Sequence, residues 1–250
     1  WFAMQASQEQ VEAAWQAAVW PQVLSEALDQ VSAELGATTP LAVRSSAIVE
    51  DSAQFSFAGQ FATKLGVAGG DALRHALTAC WASLCSETLR EHATVHGVKR
   101  CDLKMAVVVQ TMIDPRAAGV LFTADPMDHD RNRIRIEASY GLGEALVSGE
   151  ITPDTVVVDK ARSAVVSQEI AHKIGQVRYR DGRVTELPVA VHLQDAPCLS
   201  PEDLDALTRV ALRVESWAGR SQDIEWAFDG DTLHLVQTRD ITTLLDTDSA

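Results

Sequence analysis

The chain has 250 residues and a mass of 27.1 kDa, which is sufficient for one large domain or two modest ones with hydrophobic cores. Hydrophobic residues make up 46% and charged residues 22%, an ordinary globular composition that excludes a disordered or fibrous polymer. The 35 acidic residues outnumber the 21 lysines and arginines, giving a formal charge of -14 that excludes general nucleic-acid binding through the phosphate backbone.

Nothing in the sequence predicts a membrane or secretory protein. No apolar run approaches the roughly 18 residues of a membrane helix, and the first five residues lack the features of a signal peptide. We therefore expect a cytoplasmic protein without membrane contacts. The cysteines have no Cys-x-x-Cys or metal-finger spacing, so we expect them to be reduced and buried: Cys80, Cys85, Cys101 and Cys198.

The first half of the chain predicts helices and a few strands. Apolar positions at helical spacing before and after Pro21 indicate two helices within the first forty residues. A short strand follows at 41–44, and evenly spaced phenylalanines within 55–67 predict a hairpin with Ala58, Gly59 and Gln60 at its tip. One long amphipathic helix is predicted from Asp71 to about His92.

The second half predicts mostly strands. Short apolar runs separated by turn signals indicate strands at 105–110, 119–123, 133–137 and 155–159. A helix with a capping box at Ser200 and Asp203 ends at Gly219, and its predicted apolar face contains Leu204, Leu207, Ala211, Val214 and Trp217. A terminal hairpin spans 223–238. This segregation predicts an α+β fold in two lobes, 1–110 and 111–250.

The terminal hairpin contains the first candidate site. Strand alternation places Ile224, Trp226 and Phe228 on one face and Glu225 on the other. If the turn at 229–231 has three residues, Gln237 and Arg239 lie on the same face as Glu225. The two oxygen donors then suit magnesium and the guanidinium suits phosphate, whereas the alternative is the solvated face of an edge hairpin.

Three further segments have the chemistry of a nucleotide site. Arg44 ends an apolar strand directly before two serines, where ligand-facing residues lie, although a salt bridge to Glu50 or Asp51 is an equal alternative. Gly59 lets the backbone approach a triphosphate, although the alternative is a plain hairpin turn with the same residues. Gln110 and Met112 supply a hydrogen-bonding group and an apolar face for a purine, but most such glutamines only end a strand.

Two familiar motifs are incomplete, because each lacks a residue that it requires. Gly141 and Gly143 begin like a dinucleotide-binding fingerprint, but Leu146 stands where the third glycine belongs. His92 and His96 lack the intervening glutamate of a zinc protease signature, so a pair on a helix surface is favoured over zinc ligands.

Ordered blocks along the chain resemble the ATP-binding domain of phosphoenolpyruvate synthase, pyruvate phosphate dikinase and rifampicin phosphotransferase. These blocks are Val43-Arg-Ser-Ser-Ala47, Ser56-Phe-Ala-Gly-Gln60, Val109-Gln-Thr-Met112, Gly119-Val-Leu-Phe-Thr123, Ile136-Glu-Ala-Ser-Tyr-Gly-Leu-Gly-Glu144, Thr152-Pro-Asp154, Asp223-Ile-Glu-Trp226 and Val236-Gln-Thr-Arg239. The resemblance implies a two-lobed, ATP-grasp-type domain.

The resemblance also implies roles for single residues. Arg44 and Arg239 hold phosphates and are the catalytic residues, and the Gly59 loop covers the phosphates. Gln60 and Thr63 complete the nucleotide site, Gln110 and Met112 flank adenine, and Glu225 and Gln237 bind Mg2+. ATP in this family phosphorylates a histidine on a separate swivelling domain and leaves AMP, and the phosphohistidine then serves an acceptor such as pyruvate or rifampicin.

Two departures from the family pattern qualify this expectation. The usual glycine-rich segment with a phosphate-binding lysine is absent, since Lys64 lies in no equivalent motif, and no histidine lies in the family's carrier motif. We therefore expect a fragment or a split-enzyme subunit, incomplete at its N-terminus and inactive alone, with carrier and acceptor-binding domains as partners. The alternatives are an ATP-grasp ligase that forms an acyl phosphate and ADP, or a non-catalytic nucleotide- or partner-binding module.

Overall fold

The computed structural model describes residues 6–36, 38–47, 51–52, 55–56, 61–95, 104–147, 149 and 151–241. The chain divides into two compact units, Trp1–Met112 and Ile113–Ala250. Both units contain helices and strands, and the strands of their described sheets pair in antiparallel fashion. No helix among these described residues has the length and apolar character that crossing a membrane requires.

Unit 1 contains a three-stranded sheet covered by helices on one face. Its helices are α1 (Gln8–Ala17), α2 (Gln22–Leu35), α3 (Gly70–Ser83) and α4 (Glu87–Val95). Its strands are β1 (Leu41–Ala47), β2 (Asp51–Ser52), β3 (Phe55–Ser56), β4 (Thr63–Val67) and β5 (Met105–Thr111). The sheet order is β4-β1-β5, and β2 pairs with β3 separately.

The core of unit 1 follows from alternation along β1. Leu41 and Val43 point to the same side and pack among Leu73, Leu77 and Cys80 of α3. The side chains between them in the sequence must then lie on the opposite face of the sheet. Packing of the apolar face against α3 therefore leaves Arg44 on the face away from that helix.

Two sequence predictions in unit 1 are wrong. The helix predicted over 71–92 is two helices, because the chain turns at Leu84 and the Ser86 hydroxyl accepts the Leu89 N–H at 3.2 Å, starting a new helix. The described strands of the hairpin predicted over 55–67 pair with other segments: Phe55–Ser56 pairs with Asp51–Ser52, and β4 pairs with β1.

Unit 2 is built on a six-stranded sheet with the order β13-β12-β6-β7-β8-β9. Its elements are β6 (Ala117–Phe122), β7 (Arg133–Tyr140), α5 (Glu144–Val147), β8 (Asp154–Asp159), β9 (Ala164–Glu169), β10 (Gly175–Arg180), β11 (Arg183–Pro188), α6 (Pro201–Ala218), β12 (Gln222–Asp229) and β13 (Thr232–Asp240). Strands β10 and β11 form a separate hairpin, and a 3-10 turn follows at Val191–Leu193.

Helix α6 packs on one face of this sheet. The predicted capping box is confirmed, with the Ser200 side chain accepting from Asp203 N–H and the Asp203 carboxylate accepting from Ser200 N–H. Leu204, Leu207 and Ala211 are buried as predicted. Trp217 is not: it is 85% exposed, because a position six residues beyond Ala211 lies about 120° around the helix from Ala211 and so outside the apolar stripe.

The cysteine prediction is correct only for part of the set. Cys80 and Cys198 are reduced and buried, whereas Cys85 is reduced but partly exposed. Burial raises the pKa of the Cys80 thiol to about 11, so this group stays neutral at physiological pH. Cys101 lies outside the described residues.

Candidate functional site

The face of the unit 2 sheet opposite α6 contains the charged candidates. Ile224 and Trp226 of β12 and Ile136 of β7 belong to the core on the α6 side. Alternation then places Glu225 and Glu137 together on the other face, where Val120 of β6 stands between them in register. We call this surface the charged face.

Three predicted site residues meet at the β12 side of the charged face. Glu225 and Gln237 are directly opposite each other across the strand pair, and directly opposite residues project to the same side of a sheet. Arg239 Nη2 donates to Glu225 Oε1 at 3.4 Å, and the two side chains are only 16% and 18% exposed. Carboxylate, amide and guanidinium thus share one partly buried surface.

The turn that was expected to create this arrangement is shorter than predicted. Asp229 pairs with Thr232, so the loop has two residues and Gly230 adopts a φ of 54°. The register instead shifts between Glu225 and Trp226, because Trp226 pairs with Leu235 whereas Glu225 pairs with Gln237. One extra residue in β13, a β-bulge, therefore brings Gln237 to the same face as Glu225.

The oxygen donors of this cluster fit a magnesium ion. Mg2+ is usually held by one or two carboxylates while water and substrate phosphates fill its remaining positions. Glu225 supplies a carboxylate and Gln237 an amide oxygen at one register position. Across the described ranges no group of three or more His, Cys, Asp and Glu side chains is arranged to hold a metal. These residues would provide only part of the ligand set, as nucleotide-bound Mg2+ requires.

Sequence reasoning missed three charged residues on the same face, Arg135, Glu137 and Asp223. Arg135 Nε donates to Glu137 Oε1 at 2.9 Å, and Arg135 also lies 3.9 Å from the buried carboxylate of Asp125. Asp223 is directly opposite Arg239. The signal was available, since polar residues alternate with isoleucines throughout 133–137. The charged face therefore extends across β13, β12, β6 and β7.

Gly119 of β6 lies where the sheet leaves no room for a side chain. A Cβ on Gly119 of β6 would lie 1.9 Å from the Glu137 carbonyl oxygen and 2.7 Å from Cζ2 of Trp226. Real Cβ atoms do not approach backbone this closely, so only glycine fits at this position. Trp226 is 1% exposed and fills the space that the missing side chain leaves.

Unit 1 brings three other predicted residues to one face of its own sheet. Arg44 in β1 lies directly opposite Thr63 in β4 and Val108 in β5. Gln110 lies opposite Ala42, two residues along the same strand pair, so it projects to the same side as Arg44. This face is opposite the helical core, and Val108 on it is 44% exposed.

Met112 occupies a different position from the other unit 1 candidates. Its side chain is 8% exposed, and its Sδ accepts the Gly66 N–H at 3.0 Å. Its own N–H donates to the Pro40 carbonyl at 2.8 Å. Gly59 and Gln60, the predicted phosphate loop, lie outside the described residues.

A buried ion pair joins the start of β8 to the segment between β9 and β10. Lys173 Nζ donates to Asp154 Oδ1 at 2.5 Å, with both side chains at most 3% exposed. Asp154 also accepts the N–H groups of Ala171 and Cys198, each at 2.9 Å. Burial, followed by the charge of Asp154, raises the pKa of the Cys198 thiol far above its ordinary value. The cluster is structural, because every polar atom described here already bonds within it.

Comparison with known proteins identifies the family of this chain. A family model described as "Pyruvate phosphate dikinase, AMP/ATP-binding domain" matches residues 1–250. The chain is 41% identical over 224 residues, 89% of its length, to "Prodigiosin synthesizing transferase PigC" of Serratia marcescens. It is 40% identical over 225 residues, 90% of its length, to "Rifampicin phosphotransferase" of Streptomyces sviceus.

A third relative comes from an archaeon. The chain is 36% identical over 219 residues, 88% of its length, to "Probable phosphoenolpyruvate synthase" of Archaeoglobus fulgidus. The aligned part covers 25%, 26% and 29% of the three relatives, so the chain spans about a quarter of the length of the proteins that it matches.

Proposed function

This chain belongs to the pyruvate phosphate dikinase AMP/ATP-binding domain family, and from that premise we propose that it is the MgATP-binding, phosphoryl-donating part of a dikinase-type phosphotransferase. The observation that carries the proposal is the cluster of Glu225, Gln237 and Arg239 on the charged face, with the carboxylate and guanidinium 3.4 Å apart. Family membership supports an ATP-dependent phosphotransferase, and the cluster supplies the groups that a metal-bound triphosphate requires.

Each proposed residue has a separate electrostatic task. Arg239 donates from its fixed guanidinium fork to phosphate oxygens, and Arg44 supplies a second such fork. Glu225 and Gln237 would hold Mg2+, which would supply neutralisation of the phosphate charge. Positioning and charge neutralisation perform most of the work in phosphoryl transfer, so no covalent residue is needed in this part of the protein.

We assign binding of the adenosine part of ATP to unit 1. Gln110 and Thr63 offer polar groups on the same sheet face as Arg44, and Met112 and the Gly59–Gln60 segment complete the proposed nucleotide contacts. Met112 would contribute an apolar side chain, which is 8% exposed. An ATP-grasp-type arrangement of the two units is part of this proposal.

The remaining steps require domains beyond this chain. We propose that a carrier histidine on another domain attacks the β-phosphorus of ATP and displaces AMP. Water then cleaves the bond between the β- and γ-phosphoryl groups and releases phosphate, and the remaining phosphohistidine passes its phosphoryl group to an acceptor. Support comes from relatives that are about four times as long as the matched segment. The acceptor-binding domain, in the same polypeptide or another subunit, then determines which acceptor molecule is phosphorylated.

Calorimetric titration of MgATP into the chain tests the nucleotide site. Glu225→Gln keeps the side-chain shape and removes the metal-binding charge, so we expect a clear loss of magnesium-dependent affinity. Glu169→Gln is the matched control, because Glu169 lies on the same face of the sheet in the exposed edge strand β9. Equal affinity in both variants would remove Glu225 from the site.

The nucleotide product separates the proposed reaction from its nearest alternative. With the carrier domain supplied, a dikinase releases AMP, whereas an ATP-grasp ligase that forms an acyl phosphate releases ADP. Accumulation of ADP without AMP would contradict the proposal. Absence of heat with millimolar MgATP and the unmodified chain would instead favour the role of a partner-binding module without nucleotide.

A further inference from the structure

The chain passes from unit 1 to unit 2 once, between Met112 and Ile113. On the unit 1 side, Met112 is fixed by two contacts within its own unit. Its N–H donates to the Pro40 carbonyl at 2.8 Å, and its Sδ accepts the Gly66 N–H at 3.0 Å. Because the side chain is also buried, Met112 moves with unit 1.

On the unit 2 side, Asp114 is held by β10. Arg178 donates to the Asp114 carboxylate from Nε and Nη2, both at 3.0 Å, so the contact is bidentate. Arg180 Nη1 adds a bond at 3.1 Å and the Tyr179 N–H another at 3.4 Å. We call Asp114, Arg178 and Arg180 the clamp. Bidentate arginine pairs fix geometry as well as charge.

The residues after Asp114 are fixed too. Pro115 is buried and its ring locks its own φ while restricting the conformation of the residue before it. The Arg116 N–H donates to the Phe228 carbonyl at 2.8 Å, and the Arg116 carbonyl accepts the Gly141 N–H at 3.1 Å. Asp114 through Arg116 therefore move with unit 2.

The charge state of the clamp agrees with this geometry. Burial acts to raise the pKa of Asp114, but hydrogen bonds and charge from Arg178, with help from Tyr179 and Arg180, outweigh it and hold the pKa below its usual range. The carboxylate is therefore ionised throughout the physiological range.

We propose that Ile113 is the hinge between the two units and that the clamp is its fixed end in unit 2. Within the described segment 112–116, Ile113 is the residue that lies between two anchored neighbours, Met112 and Asp114, and a residue has just two soft backbone dihedrals. The clamp thus restricts bending to one position. Where the proposed function holds, nucleotide contacts come from both units, so the clamp also acts as a positioning device for ATP binding.

Single-molecule Förster resonance energy transfer tests the hinge. It measures the distribution of distances between one dye in each unit, without nucleotide. Dyes are attached through non-canonical amino acids at Ser25 in α2 and Arg162 between β8 and β9, both exposed. Asp114→Ala should broaden the distribution. The matched control is Asp130→Ala, since Asp130 also accepts from an arginine, Arg133 Nε at 3.1 Å, within unit 2.

Further variants keep the test decisive. Ile113→Gly should broaden the distribution with the clamp intact, and Arg180→Met should do so by removing the clamp's most exposed member. If the distance distributions of these two variants kept their widths and the melting temperatures were unchanged, the proposal would be overturned even if Asp114→Ala did not fold. Broadening by the control as much as by Asp114→Ala would overturn it as well.

A second arm with MgATP separates the hinge from the proposed function. Asp114→Ala should weaken MgATP binding by about fivefold or more, the lower end of usual coupling between sites. Broadened distributions with no MgATP binding by the unmodified chain would retain the hinge and reject the nucleotide function. Broadened distributions with unchanged affinity would reject the positioning role of the clamp.

Discussion

Glu225 and Gln237 face each other across β12 and β13 because β13 contains one residue more than its partner over this stretch. A regular hairpin closed by the same two-residue turn would place Val236 opposite Glu225 and send Gln237 to the core face. The bulge thus decides whether the oxygen donors meet, a recurrent use of β-bulges near functional sites.

Two single-residue deletions in β13 test this relationship. Deletion of Val236 removes the bulge yet keeps Gln237 opposite Glu225, so MgATP affinity should be largely retained. Deletion of Thr238 shifts Arg239 by one position and turns its side chain to the other face, so affinity should be lost. Calorimetric titration of both variants measures their MgATP affinity. Loss of affinity in both variants, or in neither, would contradict the claim that Gln237 and Arg239 must lie on the same face as Glu225.

The second prediction concerns Arg44. Replacement by methionine should weaken MgATP binding by about 1.5–3 kcal/mol, the usual contribution of a hydrogen bond to a charged group. Arg74→Met in α3 is the control, since Arg74 lies over the Trp20 ring at 4.7 Å on the helical side of unit 1. Reduced thermal stability with unchanged affinity in Arg44→Met would instead support a structural salt bridge.

Local chemistry made part of the fold predictable from sequence. The capping box at Ser200 was predicted because a serine and a carboxylate three residues apart satisfy the same backbone groups in any helix. The face of Glu225 was predicted because side chains alternate strictly along a strand. Such features depend only on neighbours in the sequence.

Features that depend on distant partners were not predictable. Strand β9 is exposed along its whole length, so it has no hydrophobic alternation to signal a strand. The register shift between Glu225 and Trp226 lies in β13, which carries one residue more than β12 there, and alternation along β12 alone does not reveal it.

The third prediction concerns the glycine beneath the charged face. Gly119→Ala places a methyl group 1.9 Å from the Glu137 carbonyl oxygen, so strands must move apart and stability should fall by at least about 1–3 kcal/mol. Urea unfolding measures the loss. Gly143→Ala is the control, because its added Cβ would lie 3.6 Å from the Ala118 Cβ, an ordinary contact. Equal stability of the two variants would show that β6 can relax around the substitution.

The last prediction concerns the buried pair of Asp154 and Lys173. Asp154→Asn and Lys173→Met each leave a charge without its partner in a site at most 3% exposed, so each should destabilise unit 2 by about 3–5 kcal/mol. The double variant removes both charges and should lose less than the sum of the single losses. The exposed pair His172–Asp195 is the control, where Asp195→Asn should cost about 0–1 kcal/mol. Urea unfolding of the four variants measures the coupling, and strictly additive losses would show that the two charges do not stabilise each other.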